Sequence, residues 1–137
     1  MIIRDGEIFN RWLNAAEVEL AEPVRFVIPE IDAIVTVRAG FRYDGASVPR
    51  FFWRAIGAPY DGAYFPAALL HDALYASELL PRTMCDRLFL AYMKQLGVAW
   101  WRRNAMWLAV RWFGGAVWAT HTGAQIAEAR ARITLSR

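Results

Sequence analysis

The sequence predicts an α+β fold, and three observations carry that expectation. Two β-branched runs, 23–28 ("PVRFVI") and 33–38 ("AIVTVR"), stand close together near the start. From about residue 49 onward the apolar residues recur at helical spacing almost to the end. The length, 137 residues, suits one hydrophobic core and is short for two. The expected architecture is an N-terminal β-hairpin or small antiparallel sheet followed by three to four packed α-helices. It forms a single domain, 1–137, with a β-rich part over 1–48 and a helical part over 49–137.

The two runs alternate in part between apolar and polar residues, and "PEID" between them has turn chemistry, so they read as a hairpin. The next stretch, "FRYDGASVPRFFW", brings in Gly, Ser and Pro, and Pro49 suits the first turn of a short helix. Pro66 suits the start of another, running to about Ser77. "SELLP" then reads as a turn into a helix over about 82–97, stopped by Gly97, and a Trp-rich helix follows over about 99–120. Short turns between helices imply antiparallel packing.

Charge is uneven along the chain. Residues 1–48 carry five Arg against eight acids (net −3), and residues 49–137 carry eleven cations against five acids (net +6). Such a surplus suits phospholipid headgroups, nucleic acid or an acidic protein, and the count alone does not choose among them. Nucleic acid is not an expected partner, because no nucleic-acid-binding motif accompanies the charge. Hydrophobic residues make up 57% of the chain, with seven Trp, above the usual range for a domain of this size. Part of that apolar surface is therefore expected to meet other proteins, a lipid surface or a second copy of the chain.

A lone cysteine, Cys85, excludes an intrachain disulfide and a cysteine-based zinc cluster. The N-terminus lacks the pattern of a secretory signal, so export by that route is not expected. The most apolar segment, 105–120, has Arg111 near its middle and falls short of the roughly 20 residues a span requires, so no transmembrane helix is expected.

Within the greasy stretch "PAALLHDALYA" (66–76) stand His71 and Asp72, two titratable neighbours that need partners if buried. On a helix His71, Asp72 and Tyr75 share one face. The following helix carries Arg82, Asp86, Phe89 and Met93 on one stripe, and the rise per residue places Asp86 at nearly the height of His71 above the turn. A His71–Asp86 hydrogen bond is therefore expected. Asp86 would hold one ring nitrogen and raise the basicity of the other, which then takes a proton from water. Asp72 would be left to bind a cation, with backbone oxygens of the loop "YDGAS" (43–47) completing a shell of the kind calcium prefers.

Each feature has a plainer alternative. His71 is otherwise a buried histidine satisfied by its neighbours, Asp86 an acid in a helix-opening Thr83-x-x-Asp86 box, and "DGAS" a turn whose Ser47 caps the helix opened by Pro49.

The ordered strings "DGAS", "PAALLHDALY" and "RTMCDRLFL" resemble the short bacterial and fungal branch of the secreted phospholipase A2 families, over about 50 residues. The resemblance implies a phospholipase-A2-like antiparallel helix pair, with His71 as general base, Asp86 as its orienting partner and Tyr75 as a supporting hydroxyl. It also implies a calcium site at Asp72, Asp44 and Gly45. Ala46 and Ala68 stand where that branch has its two bridge-forming cysteines, as a reducing compartment permits.

A longer string over about 24–118, "DGASVPRFFW…GAPYDGAYFPAALLHDALY…R…CDRLF…R…W", is similar to phage and prophage proteins grouped as domain-of-unknown-function family 1353. That resemblance implies a tailed-phage or prophage origin, with the host cytoplasm or the virion as location. Two functions are therefore expected. One is a phage-associated hydrolase acting on lipid esters through a His/Asp site. The alternative is a non-catalytic virion or assembly component docking through its Trp- and Arg-rich helix.

Overall fold

The computed structural model describes residues 1–14, 17–43 and 64–137. Among the described residues, seven strands form two antiparallel sheets. The larger has the order β1 (Ile3–Asp5), β4 (Val24–Ile28), β5 (Ala33–Val37) and β7 (Ile133–Ser136); the smaller joins β2 (Asn10–Trp12), β3 (Val18–Leu20) and β6 (Arg42–Tyr43).

The expected hairpin is β4–β5, with Val24 opposite Val37 and Ile28 opposite Ala33. Alternation aims Val24, Phe26, Ile28, Val35 and Val37 inward, all buried. Between the strands, Pro29–Ile31 form a 3-10 turn that closes with Asp32 in the left-handed region (φ 50°). Asp tolerates that conformation better than a branched residue would.

Among the described residues there are four helices: α1 (Phe65–Ser77), α2 (Arg82–Gln95), α3 (Trp100–Ala119) and α4 (Gly123–Arg132). Pro66 sits in the first turn of α1, where its missing N–H leaves nothing unsatisfied. The connection 78–81 then folds α2 back along α1. Helix α2 ends at Gln95, two residues short of the expected 97, and Gly97 is its stop as expected: it takes φ 82°, and the Val98 amide reaches back to the Met93 carbonyl.

The start of α4 carries a capping box: the Thr122 hydroxyl accepts from the Gln125 amide, and the Gln125 side chain accepts from the Thr122 amide. The chain leaves α4 directly into β7, which lies beside β5 as the edge of the larger sheet.

Sheet and helices share one core. Phe26 of β4 meets Tyr92 of α2 edge to face, with ring centroids 6.1 Å apart, and Tyr43 of β6 meets Phe65 of α1 at 6.4 Å. Helix α1 is apolar almost all round, and it packs against α2, α4 and β6. The polar residues His71 and Asp86 are therefore carried into the interior by the two most enclosed helices.

Candidate functional site around a buried carboxylate

Asp86 is fully buried on α2, and four side chains from three helices converge on it. His71 Nε2 lies 2.7 Å from Oδ1, and the Tyr75 hydroxyl donates to the same oxygen at 2.7 Å. Both donors come from α1, one helical turn apart, so a single carboxylate oxygen reads one stripe of that helix. On the other side, Arg111 of α3 donates from Nη1 to Oδ2 at 2.6 Å. Arg82, four residues before Asp86 on α2, sits 3.6 Å from Oδ2 and also donates from Nη2 to the Arg111 carbonyl at 2.9 Å.

Ring packing fixes the imidazole. Phe89 stacks on His71 with centroids 4.4 Å apart, and Tyr75 lies at 4.3 Å on the same helix. Trp118 presses edge-on against Tyr75 at 5.3 Å. The approach of α3 depends on Gly114, where an added Cβ would come within 2.6 Å of the Tyr75 hydroxyl.

Burial alone would push the Asp86 carboxyl up, but hydrogen bonds from His71, Tyr75 and Arg111 outweigh it and hold the group below the ordinary carboxylate range. For His71 burial prevails: loss of water lowers the imidazole against the opposing pull of Asp86. The direction that satisfies both is an ionised Asp86 beside a neutral His71. A carboxylate only accepts, so the shared proton belongs to Nε2 and the ring lone pair to Nδ1. Burial, with the hydrogen bond to Asp86, raises Tyr75, which stays a hydroxyl donor. Burial also pushes the neighbouring Cys85 thiol up to about 12, which removes it as a nucleophile at neutral pH.

The bond between His71 and Asp86, and the place of Tyr75, agree with what the sequence leads one to expect. The capping alternative for Asp86 does not hold, because α2 starts from Pro81 with no side-chain cap and the carboxylate points inward. Asp72 is half-buried beside His71. Asp44 and Gly45, the other residues expected to hold a cation, lie outside the described residues. Among the described residues, no three His, Cys, Asp or Glu side chains gather closely enough to hold a metal ion.

Arg111 is the participant that the sequence does not disclose as such. It reads as one of several cations on a helix surface, yet it is the closest donor to Asp86. The signal was a single charge at the centre of the most apolar segment, which has to be matched if that segment packs inward. A similar mark, two adjacent glycines inside a helix, announces the close contact of Gly114 with Tyr75. His121, to which no role attaches from the sequence, pairs with Glu78 at 3.0 Å just past the end of α1.

Comparison with known proteins extends over the same region. A family model described as "Protein of unknown function (DUF1353)" matches residues 18–110. The "Uncharacterized protein y4jT" of Sinorhizobium fredii (strain NBRC 101917 / NGR234) is 44% identical over 80 residues, which amount to 57% of this chain and 23% of that protein. The chain thus spans under a quarter of that relative's length. No solved structure matches.

Proposed function

The chain belongs to the DUF1353 family, and from that premise we propose that it is a phage- or prophage-encoded hydrolase of lipid esters in which His71 acts as general base. The observation that carries the reading is the 2.7 Å contact between His71 Nε2 and a buried, ionised Asp86. It fixes the tautomer in which Nδ1 is basic, and it places a negative charge where the imidazolium will need one.

The chemistry follows from that arrangement. The reading requires that water and the ester reach the buried imidazole; Nδ1 then takes a proton from that water as the water oxygen bonds to the ester carbonyl carbon. The tetrahedral adduct then expels the alkoxide, and the same nitrogen returns the proton to the leaving oxygen. During the interval the imidazolium is stabilised by Asp86 Oδ1. Tyr75 and Arg111 keep the carboxylate from rotating or taking up the proton itself.

Calcium is the cofactor that the phospholipase resemblance would bring. It favours six to eight oxygen ligands, and the described residues offer Asp72 beside His71 without a second acidic group in a metal-holding cluster. They do not by themselves fit the ion, and no step above passes through it. Phage or prophage origin, and action in the host cytoplasm or the virion, are part of the same proposal and rest on the ordered motif string.

The test is fatty-acid release from mixed phospholipid micelles, with calcium and with a chelator. Wild type should release acid, and His71→Gln, which keeps a donor for Asp86 but takes up no proton, should lower the rate by about 100-fold or more. A wild type inactive under both conditions overturns the hydrolase.

One observation favours a second reading. On α3, Trp100 is 71% exposed, Trp112 70% and Trp101 57%, with Leu108 beside them. Such an apolar patch suits docking onto another phage protein in a non-catalytic virion or assembly component. In that case the wild type is inactive, joins purified phage particles, and loses that association in Trp101→Ser/Trp112→Ser. No described helix is long and apolar enough to cross a membrane.

A further inference from the structure

Helix α2 has a second working face. Helical periodicity puts Met84, Arg87, Ala91 and Lys94 on the side away from Asp86 and Met93. There, between α2, the N-terminal segment and the 3-10 turn of the hairpin, lies a cavity of about 540 Å³. That volume falls within the range of small-ligand sites.

Its lining has two parts. Ile2, Ile31, Met84 and Leu88 make an apolar wall, while Arg87 and Lys94 bring positive charge. Neither cation has a hydrogen-bond or ion-pair partner among the described residues. Glu30, the acid of this cavity, is hydrogen-bonded to the Met1 amino group. The wall is also held in place. The Gln95 side-chain amide brackets the Ile2 backbone, accepting from its N–H at 2.7 Å and donating to its carbonyl at 2.6 Å.

We propose that this cavity binds a single long-chain carboxylate, its acyl chain along Ile2, Ile31, Met84 and Leu88 and its head group between Arg87 and Lys94. The apolar wall removes the chain from water. The two cations supply the charge-assisted contacts that distinguish an acid from a neutral amphiphile of equal length. A diacyl lipid carries a second chain that this single apolar wall does not accommodate. The site is separate from the His71 cluster and does not depend on any hydrolysis there.

The experiment is calorimetric titration of the whole chain with dodecanoate, below the concentration at which it forms micelles, and, separately, dodecanol, below its solubility limit. Dodecanoate should bind saturably at one site, and dodecanol about tenfold more weakly or less. Arg87→Ala/Lys94→Ala should weaken dodecanoate by about tenfold and leave dodecanol unchanged. Ala91→Trp, at an exposed position on the cavity lining, should block both ligands, while circular dichroism checks that each variant keeps the fold. His71→Gln should bind dodecanoate like the wild type, whatever its effect on ester hydrolysis. Absence of saturable binding, equal binding of the alcohol, or undiminished binding by Ala91→Trp would each overturn the assignment.

Discussion

The inward face of the β4–β5 hairpin and the Asp86 carboxylate at the junction of α1, α2 and α3 are buried to the same extent, yet they are held by different physics. In the hairpin Val24, Phe26, Ile28, Val35 and Val37 are all at 0% exposure and all apolar. Their contribution comes from area removed from water and from close packing, and neither term prescribes direction. At the junction Asp86 is equally enclosed, but its stability depends on particular donors standing 2.6 to 2.7 Å away. A core of the first kind absorbs small errors of shape. One of the second kind fails when any member leaves, because the remaining partners keep their desolvation cost and lose the contact that offset it.

The strongest way to break the comparison is Asp86→Leu. The substitution puts a somewhat larger apolar side chain in place of the carboxylate, and its overpacking alone costs about 1–3 kcal/mol. Here it also strands Arg111, with Arg82 beside it, against a hydrocarbon side chain, and we expect a loss of about 3–5 kcal/mol in denaturant unfolding. A loss below about 3 kcal/mol, within reach of overpacking alone, would show the junction to be an ordinary apolar core.

Gly114→Ala comes next. In an exposed helix the change would stabilise by up to about 1 kcal/mol, but here the new methyl group meets the Tyr75 hydroxyl at 2.6 Å and its ring carbons at 3.1 and 3.3 Å. Tyr75 is held by Asp86 and Trp118 and has little room to give. The expected outcome is a net loss of about 1–3 kcal/mol. Combination with Tyr75→Phe should be less than additive, since the phenyl ring lacks the nearest atom. Additive losses would mean that the glycine and the tyrosine do not press on each other.

The same contrast explains what the sequence made legible. Alternation and helical periodicity are properties of neighbouring residues, so the hairpin, the start of α1 at Pro66 and the span of α3 follow from local reading. The pairing of His71 with Asp86 was also within reach, because one short turn joins their helices and the rise per residue sets their heights. Pairings between distant stretches were not. Strand β7 is four residues that acquire their identity only from β5, nearly a hundred positions earlier. Strands β1, β2, β3 and β6, of two or three residues each, are too short for a period to show. Arg111 belongs to the same class: its residue type announces a charge needing a partner, but only the packing of α3 on α2 names Asp86.

A titration sharpens the comparison further, since the hairpin core has nothing to protonate. Burial lowers His71 below its ordinary value of 6.5, so the unfolded chain takes up a proton near that pH while the folded chain does not. The stability tied to His71 is therefore complete above about pH 7 and declines as pH falls below 6.5, by up to about 1.4 kcal/mol per pH unit. Asp86, lowered from 3.8, adds a second loss of the same sign further into acid, when its carboxylate is finally protonated. Unfolding midpoints from pH 8 to 5 should slope downward in the wild type and flatten in His71→Gln. A His71 contribution of the opposite sign, with stability rising as pH falls, would mean that the imidazole is already charged in the fold, which would also remove the neutral base from the proposed hydrolysis.

The smallest effect belongs to the hairpin itself. Ile28→Val deletes one buried methyl group opposite Ala33, and the expected loss is about 0.5–1.5 kcal/mol, the ordinary range for this deletion in a core. Its diagnostic value lies in what accompanies it. With no polar partner orphaned, the loss should be the same at pH 8 and pH 5, and combination with Gly114→Ala should be additive within about 0.5 kcal/mol. A pH-dependent loss, or strong coupling to Gly114, would mean that strain at the sheet reaches the carboxylate cluster through Phe26 and Tyr92, the edge-to-face pair joining β4 to α2. The two regions would then be one mechanical unit, and the tolerance ascribed to the hairpin would have to be argued from its contacts with α2 instead of from its apolar composition.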